Sequence, residues 1–225
     1  METLYVIGTP IGNLEDITLR AIRILKEVDV IACEDTRITK RLLERYEILN
    51  KRLVSYNEKE SGSSIQRIIV FLKEGKTIAL VSDAGTPTVS DPGARLVFEA
   101  RAAGIRVVAV PGANAATAAL SISGLPSSEL LFLGFLPHKK GREKIFTEIA
   151  KSKRTVVLYE SPHRIIKTLT SLHRILSINR KVLIARELTK IHEEIISGTA
   201  QEVLQFFEKN TQHIKGEFVV IVEGM

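Results

Sequence analysis

Three short segments combine glycine, proline and small polar residues directly after an apolar run, the composition that a ligand-binding loop requires. They are residues 8–13 (GTPIGN), 82–87 (SDAGTP) and 111–115 (PGANA). In open α/β folds, ligands bind beyond the carboxyl ends of strands, and glycine lets the backbone approach them because it has no Cβ atom. Three such loops in one half of the chain predict a ligand-binding cleft in preference to simple turns.

Charged side chains follow three apolar runs, at residues 34–37 (EDTR), 159–164 (YESPHR) and 186–190 (RELTK). A carboxylate at the end of a strand can act as a general base if it reaches a proton on the substrate. It can equally cap the next helix or pair with a neighbouring arginine. The sequence leaves both roles open for each carboxylate.

Familiar nucleotide and metal motifs do not fit the sequence. Gly8 and Gly12 are too far apart for a dinucleotide fingerprint, and the P-loop-like residues 75–77 (GKT) lead into a strand-like run. No histidine follows His192 at the spacing that a zincin requires. The single cysteine, Cys33, cannot form an intramolecular disulfide and has no partners for a metal site. We therefore expect neither an ordinary dinucleotide fold nor a metal.

Composition favours an ordinary globular protein, with 44% hydrophobic and 26% charged residues. No apolar run approaches the roughly 20 residues of a membrane span. The first residues, METLYVIGTP, lack the basic and apolar regions of a signal peptide. These features predict a cytoplasmic protein without a membrane partner.

Two segments concentrate the positive charge. Residues 37–52 carry six lysines and arginines against two glutamates, and residues 138–154 carry seven against two, in a chain of net charge +6. Each segment alone is typical of a solvated helix face. Together they favour a surface that follows the phosphates of a nucleic acid.

Strand-like runs and helix-like periodicity alternate along the whole sequence, which predicts an α/β fold. Strands are expected at 3–7, 28–32, 77–81, 105–110, 130–135, 155–159, 181–185 and 217–222. Helices are expected after Asp16 and at 37–47, 65–73, 93–103, 115–123, 140–151, 162–176 and 200–208. The break near 111–115 predicts two domains, 1–113 and 114–225, and the polar stretch 55–64 predicts a mobile loop.

Eight motifs in order resemble the ribosomal RNA small subunit methyltransferase I branch of the tetrapyrrole methylase superfamily. They are GTPIGNLEDIT, ACEDTR, SDAGTPTVSDPG, VPGANAATAALSISGLP, GFLP, YESPHR, ARELTK and GEFVVIVEG. The resemblance covers nearly the whole chain. SDAGTP together with YESPHR and ARELTK is specific to this branch.

This resemblance implies two αβα domains with S-adenosylmethionine in the cleft between them, in a homodimer. The implied reaction methylates the ribose 2′-hydroxyl of a cytidine in 16S rRNA of the small ribosomal subunit, near the decoding centre. The implied cofactor contacts are Pro10, Ser82, Asp83, Ala84, Thr86, Val89, Asn114, Ala115, Glu160 and Leu188.

The reaction also needs a base for the hydroxyl proton and cations for phosphate. The candidate bases are Glu34, Asp35, Glu160, Glu187 and Lys190, of which Glu187 and Lys190 are our working hypothesis. A lysine would serve only if burial lowered its pKa. The candidates for RNA binding are Arg37, Arg164, Arg186, Lys139 and Lys140.

Two alternatives stay open: a methylase of a small tetrapyrrole such as a precorrin, and a non-catalytic RNA-binding protein of the same fold. Two differences from the family also matter. Family members often continue past the closing VEG with a small helical domain. This difference bears on the implied RNA affinity more than on the implied cofactor binding. Many relatives carry a histidine near Asn57, where this chain reads SYNEKE, so no catalytic role is assigned there.

Overall fold

A computed structural model of the chain describes residues 2–56 and 62–225. The chain divides into two compact units, Met1–Asn114 and Ala115–Met225. The boundary predicted from the sequence lies one residue earlier. Within the described ranges, no helix is both long and apolar enough to cross a bilayer.

The first unit contains a five-stranded sheet with the strand order β3-β2-β4-β1-β5. Every neighbouring pair of strands in this sheet is parallel. Its elements in chain order are β1 (Thr3–Ile7), α1 (Leu19–Glu27), β2 (Val30–Cys33), α2 (Thr36–Arg45), β3 (Arg52–Ser55), α3 (Ser63–Lys73), β4 (Thr77–Val81), α4 (Ala94–Ala102) and β5 (Arg106–Val110).

Both faces of the first sheet are covered, as parallel sheets require. Leu4 and Leu80 pack on one face with residues of α3 and α4. Ile7 and Val81 pack on the other face with residues of α1 and α2. The strands are therefore apolar on both sides, and polar residues concentrate where they end.

The second unit contains a mixed sheet with the strand order β6-β7-β10-β8-β9. Strands β6 and β7 are parallel, and the other neighbouring pairs are antiparallel. The elements are α5 (Ala115–Ser121), β6 (Leu130–Phe135), α6 (Arg142–Lys151), β7 (Thr155–Glu160), α7 (Ile165–Ile175), β8 (Lys181–Arg186), β9 (Glu194–Thr199), α8 (Ala200–Lys209) and β10 (Phe218–Val222).

Two strands were not predicted from the sequence, β3 and β9. Strand β3 (RLVS) has two apolar residues, and β9 (EIISGT) mixes two isoleucines with polar residues and glycine. Each lies at the edge of its sheet and pairs on one side, so long-range pairing defines it more than local composition.

Some predicted boundaries were also wrong. Helix α1 does not begin directly after Asp16, which lies in a 3-10 turn, Leu14–Asp16. Thr18 starts the helix instead, because its side chain accepts a hydrogen bond from Ala21 N. Of the predicted loop 55–64, Ser55 belongs to β3 and Ser63 begins α3. Residues 57–61, with Asn57, lie outside the described residues.

Candidate active site

The three small-residue loops follow strands that are neighbours in the first sheet. Strand β1 lies between β4 and β5, and Ile7 at its end is opposite both Val81 and Val110. The loops that begin at Gly8, Ser82 and Pro111 therefore leave the sheet side by side and at one level. The register brings together three segments that are up to a hundred residues apart in sequence.

The first and third loops touch through two glycines. An ideal Cβ atom on Gly8 would lie 2.7 Å from Gly112 Cα, and one on Gly112 would lie 2.5 Å from the Gly8 carbonyl oxygen. Gly8 N also donates a hydrogen bond of 3.0 Å to Val110 O. No side chain fits at either position, so both glycines are required by a close approach of two backbones.

The first and second loops are joined by a short antiparallel bridge. Thr9 N donates to Gly85 O at 2.8 Å and Gly85 N donates to Thr9 O at 3.1 Å. The Thr9 hydroxyl donates to Ser82 O, and the Thr86 hydroxyl donates to Ala113 O at 3.2 Å. These bonds tie all three loops into one framework.

The second loop continues through strained backbone. Thr88 and Ser90 have φ angles of 75° and 67°, in the left-handed region that residues other than glycine rarely enter and that is least favourable for the β-branched Thr88. Such strain persists where the surrounding structure holds it, and it concentrates at functional sites.

The cofactor contacts predicted in the first unit differ in burial. Pro10 and Ser82 are buried, Asp83, Thr86, Val89 and Asn114 are half-buried, and Ala84 is exposed.

A cavity of about 860 Å³ lies beside this loop in the first unit. Thr86, Pro87 and Thr88 line it together with apolar residues of β5 and with Arg101 of α4. The loop that the sequence assigns to the cofactor thus also forms one side of a concave, mostly apolar space.

Carboxyl groups gather at the ends of β2 and β4. Asp35 N donates to Asp83 Oδ1 at 3.0 Å. Burial raises the pKa of Glu34, and the nearby Asp91 and Asp83 raise it further. Burial likewise raises the pKa of Asp91. A carboxylate with a raised pKa is a stronger base than a free one.

Asp35 behaves differently from its neighbour Glu34. It begins α2 by accepting a hydrogen bond from Arg37 N at 2.8 Å, and its other oxygen pairs with the Arg37 guanidinium at 2.6 Å. The Arg37 side chain lowers the pKa of Asp35 to about 2. Such a carboxylate is a weak base, so the geometry favours a capping role.

The second sheet brings two charged strand ends together. Phe218 at the start of β10 is opposite Glu160 at the end of β7 and Arg186 at the end of β8. Because β10 is antiparallel to both strands, β7 and β8 end at the same edge. This edge carries the segments YESPHR and RELTK.

Glu160 is buried and fully paired. Arg164 Nε lies 2.8 Å from its Oε1, and Arg142 Nη2 lies 3.5 Å from its Oε2. The Thr168 hydroxyl donates to Oε2 at 2.6 Å, and Ser161 N donates to Oε1 at 2.9 Å. With both oxygens engaged, the carboxylate links β7 to α6 and α7, which favours a structural role for its side chain.

Glu187 and Lys190 form one cluster with Glu217. Lys190 Nζ lies 2.8 Å from Glu187 Oε1 and 2.9 Å from Glu217 Oε2, and Glu217 N also donates to Glu187 Oε1. Burial opposes ionisation of Glu187, but hydrogen bonds from Lys190 and Glu217 N outweigh it and lower its pKa.

Burial likewise opposes the charge on Lys190, yet its two carboxylate partners raise its pKa. Lys190 is therefore a charged donor at neutral pH. Glu187 and Thr189 have φ angles of 50° and 66°, so this loop is also strained. Leu188, between them, is buried.

The predicted RNA-binding cations fall into two groups. Arg164 donates to Leu136 O, and Arg186 donates to the carbonyls of Lys215 and His192, so both guanidinium groups bind protein groups. The cations that face solvent are Arg37, Lys139 and Lys140.

Sequence reasoning did not single out Asp91, Glu217 or Thr9. Asp91 and Glu217 contribute through long-range proximity, to Glu34 and to Lys190 respectively. The signals in the sequence were the position of Thr9 within the first loop and the presence of Asp91 and Glu217 in the motifs SDAGTPTVSDPG and GEFVVIVEG. Across residues 2–56 and 62–225, no group of three histidine, cysteine or acidic side chains could hold a metal ion.

Comparison with known proteins places the geometry in context. The family model described as Tetrapyrrole (Corrin/Porphyrin) Methylases matches residues 3–204. Curated proteins named ribosomal RNA small subunit methyltransferase I are similar over the whole chain. The Halalkalibacterium halodurans protein is 53% identical over 99% of this chain and 76% of its own length. The Thermotoga maritima protein is 47% identical over 100% and 99%.

Solved structures share the fold at low sequence identity. The methyltransferase CobJ matches with a TM-score of 0.74 and 20% identity, over 100% of this chain and 95% of its own. A cobalt precorrin-4 methyltransferase matches with a TM-score of 0.72 and 17% identity, over 99% and 95%. At this identity the likeness extends to the fold alone.

Proposed function

This chain belongs to the ribosomal RNA small subunit methyltransferase I branch of the tetrapyrrole methylase family, and from that premise we propose that it methylates the ribose 2′-hydroxyl of a cytidine in 16S rRNA, near the decoding centre. We propose that it uses S-adenosylmethionine and works as a homodimer in the cytoplasm. The chain is a methyltransferase by family; the nucleotide, the donor and the assembly are the proposal.

One observation carries the proposal: the joined loops at the ends of β4, β1 and β5. They offer backbone groups on glycine and small residues, with the buried Ser82 hydroxyl beside the carboxyl groups of Glu34 and Asp91. A nucleoside-like ligand with several polar groups suits such a surface. The carboxyl groups of Glu34 and Asp91 nearby suit a ligand that carries positive charge.

We assign the cofactor to residues of both units. The proposed set is Pro10, Ser82, Asp83, Ala84, Thr86, Val89 and Asn114 of the first unit, with Ala115, Glu160 and Leu188 of the second. S-adenosylmethionine supplies a methyl group on a positively charged sulfur. The loops would hold it in line with the acceptor oxygen, and such positioning can supply about 7–11 kcal/mol of the barrier.

For deprotonation we propose the pair of Glu187 and Lys190. Lys190 is charged, so Glu187 would take the proton while Lys190 orients its carboxylate. Asp35 and Glu160 are disfavoured because both oxygens of each carboxylate accept hydrogen bonds from the protein, whereas the contacts of Glu187 described above are made by Oε1. Alanine variants of Glu187 and Lys190 should each lose methylation rate with saturating RNA. Near-normal rates for both variants would remove this pair from the mechanism.

For RNA binding we propose the exposed cations Arg37, Lys139 and Lys140. Arg164 and Arg186 would shape the surface through their bonds to protein carbonyls, and not by direct phosphate contact. This division follows from exposure: the Arg37 side chain is 86% exposed although it pairs with Asp35, whereas the side chains of Arg164 and Arg186 are 15% and 11% exposed.

The decisive experiment is mass mapping of 16S rRNA. Undermodified small subunits are incubated with the protein and S-adenosylmethionine, and the nucleotides are then analysed. We expect one new methylated cytidine that resists alkaline cleavage, since its 2′-oxygen is blocked. Methylation on a base, or at another nucleotide, would contradict the assigned target, and comparison with free 16S rRNA identifies the substrate form.

Two other functions predict different results. A tetrapyrrole methylase, the class of the cobalt precorrin-4 methyltransferase that shares this fold, would methylate a precorrin and leave small subunits unmethylated. A non-catalytic RNA-binding protein would bind no cofactor, whereas we expect micromolar or tighter binding of S-adenosylhomocysteine by calorimetry, roughly −8 kcal/mol or better.

A further inference from the structure

An exposed aromatic side chain lies at the end of β6, in the GFLP segment, to which neither the cofactor nor the base has been assigned. Phe135 is 57% exposed, although it is the last residue of a strand. Its ring meets the ring of Tyr159 on the neighbouring strand β7 edge to face, with 5.5 Å between the centroids. Phe132 meets the same Tyr159 ring at 5.1 Å. We call Phe132, Phe135 and Tyr159 the aromatic platform.

A β-bulge turns Phe135 toward this platform. Along β6 and β7, Phe132 is opposite Val157 and Phe135 is opposite Tyr159, so β6 has one residue more than its partner. Residues three apart in a regular strand point to opposite faces, but the extra residue brings both phenylalanines to the Tyr159 ring. Gly134, within the bulge, has a φ of 57°, which glycine tolerates. Bulges that redirect a side chain in this way are common next to active sites.

The backbone that follows the platform is held in place by two arginines. The Leu136 carbonyl accepts a hydrogen bond from Arg164 Nη1 at 2.7 Å. The Pro137 carbonyl accepts one from Arg142 Nη1 at 3.3 Å. Both guanidinium groups pair with the buried carboxylate of Glu160. An exposed ring on such a fixed backbone loses little conformational freedom when a ligand stacks on it, which favours binding.

The platform lies at the same sheet edge as the proposed base. Strands β6 and β7 are parallel, and β10 is antiparallel to both β7 and β8, so β6, β7 and β8 all end at one edge. Three strand spacings separate β6 from β8, which is about 14 Å at about 4.8 Å each. The Tyr159 hydroxyl accepts a hydrogen bond from Ala116 N, next to the proposed cofactor residue Ala115. The platform is therefore near the proposed reaction, yet too far from Glu187 to hold the reacting nucleotide itself.

The charge beside the platform indicates what stacks on it. Lys139 and Lys140 follow Phe135 by four and five residues, and both are exposed. An exposed ring flanked by cations suits single-stranded nucleic acid, because a base stacks on the ring while the cations contact phosphates. A second copy of this chain, docked symmetrically, would bring the same lysines to the contact and add repulsion. Charge therefore favours RNA over a protein partner.

We propose that the aromatic platform stacks on an unpaired base of small-subunit rRNA near the methylated nucleotide, while Lys139 and Lys140 contact the adjoining phosphates. This inference rests on the proposed function. Phe135 is then a positioning residue, which holds a neighbouring nucleotide and so fixes the register of the strand at the reacting ribose. Every base has a π face, so the platform selects an unpaired strand and not a particular sequence.

A tryptophan reporter tests the stacking. The chain has no tryptophan, so Phe135→Trp introduces a single indole at the platform. We expect undermodified small subunits to quench its fluorescence, after correction for absorption by RNA, and S-adenosylhomocysteine alone to leave it unchanged. The matched control is Phe98→Trp, since Phe98 is 68% exposed on α4 of the first unit, and its fluorescence should change with neither addition. Quenching by S-adenosylhomocysteine alone, equal quenching of both reporters, or no quenching would overturn the proposal.

Affinity measurements separate stacking from apolar packing. Phe135→Ala should weaken filter binding to small subunits about tenfold, the order expected for a base-stacking ring. The salt dependence should stay unchanged, because no charge is lost. Phe135→Tyr should keep the original affinity, whereas Phe135→Leu, which is apolar but has no ring, should not. Full affinity in Phe135→Leu, or a changed oligomeric state of Phe135→Ala in sedimentation, would make Phe135 a packing or subunit contact and overturn the proposal.

Phe98→Ala is the control for these binding experiments and should keep the original affinity. Because both phenylalanines are exposed, the melting temperatures of the variants should stay close to that of the original protein. Binding is measured without a methyl donor, and mapping of methylated rRNA with the unaltered protein tests the proposed function separately. Methylation of the expected cytidine without quenching at the platform would overturn this inference alone.

Discussion

At the scale of single residues, Glu160 is a candidate base in the sequence, but in the structure its carboxylate is buried and bonded to protein groups. Its two oxygens are held by Arg142, Arg164, Thr168 and the backbone of residue 161. Breaking a buried pair by removing one partner leaves an uncompensated charge, which costs about 3–5 kcal/mol. The residue therefore fixes β7 against two helices.

We accordingly expect Glu160→Gln to lower the free energy of unfolding by about 3–5 kcal/mol, because Arg142 would stay buried without its anion. Chemical denaturation measures the change. Glu143→Gln, on the exposed side of α6, is the control and should change stability by less than about 0.5 kcal/mol. A loss as small as that of the control would mean that the network carries little stability.

The close approach of Gly8 and Gly112 leads to a second prediction. A methyl group on Gly8 would overlap Gly112 Cα, so Gly8→Ala should separate the first and third loops. We expect S-adenosylhomocysteine affinity to fall by at least about tenfold, with a stability loss of about 1–3 kcal/mol. In the control Gly62→Ala, the nearest atom lies 3.8 Å from the new carbon, so both properties should persist.

The lowered pKa of Glu187 leads to a third prediction, on pH. Its folded pKa lies below the usual 4.5, so the carboxylate stays ionised as the pH falls from 8 to 6. If Glu187 is the base, the methylation rate should show no acidic limb in that range. Single-turnover rates with saturating RNA test this, and a fall toward pH 6 would indicate another base such as Glu34.

At the scale of elements, the strand ends determine the candidate site, and the sequence predicted most of them. Glycine and proline after β1, β4 and β5 mark where these strands stop, and both the loops and the strands lie where the pattern predicts. The edge strands β3 and β9 were missed because each needs a distant partner more than a local pattern. Asp91 and Glu217 were missed for the same reason, since tertiary contacts alone bring them to Glu34 and Lys190.

Helix α6 depends on a residue outside it. The Arg180 guanidinium donates to the carbonyls of Ile149, Ala150 and Ser152 at the end of the helix, and to Glu223 O beyond β10. These are acceptors that a helix leaves unpaired. A buried cation here also complements the negative end of the helix dipole.

Arg180→Met should therefore lower the free energy of unfolding by about 1–3 kcal/mol, because buried carbonyls would be deprived of their donor. Hydrogen exchange should show faster opening of the last turn of α6. Arg174→Met, near the exposed end of α7, provides the comparison and should have little effect. An unchanged exchange pattern in Arg180→Met would indicate that water replaces the guanidinium without cost.

At the scale of the whole molecule, the net charge of +6 predicts salt-dependent RNA binding. Replacing Lys139 and Lys140 with glutamine should reduce the slope of log affinity against log salt by about one for each bond to phosphate that the substitution removes. Filter binding to small subunits at several salt concentrations measures it. Replacing Lys26 and Lys209 with glutamine changes the net charge by the same amount and is the control. It should keep the original slope if the slope depends on direct bonds to phosphate and not on net charge.

The central position of β10 in the second sheet affects how the protein folds during its synthesis. All five strands of the first sheet lie within residues 3–110. This sheet can therefore form while the ribosome is still synthesising the second unit. The second sheet has a gap between β7 and β8 until residues 218–222 emerge. Domains generally fold as units, the amino-terminal one first. We therefore expect the two units to fold at different times. The second unit cannot complete its sheet, or bury its core fully, until β10 has been synthesised.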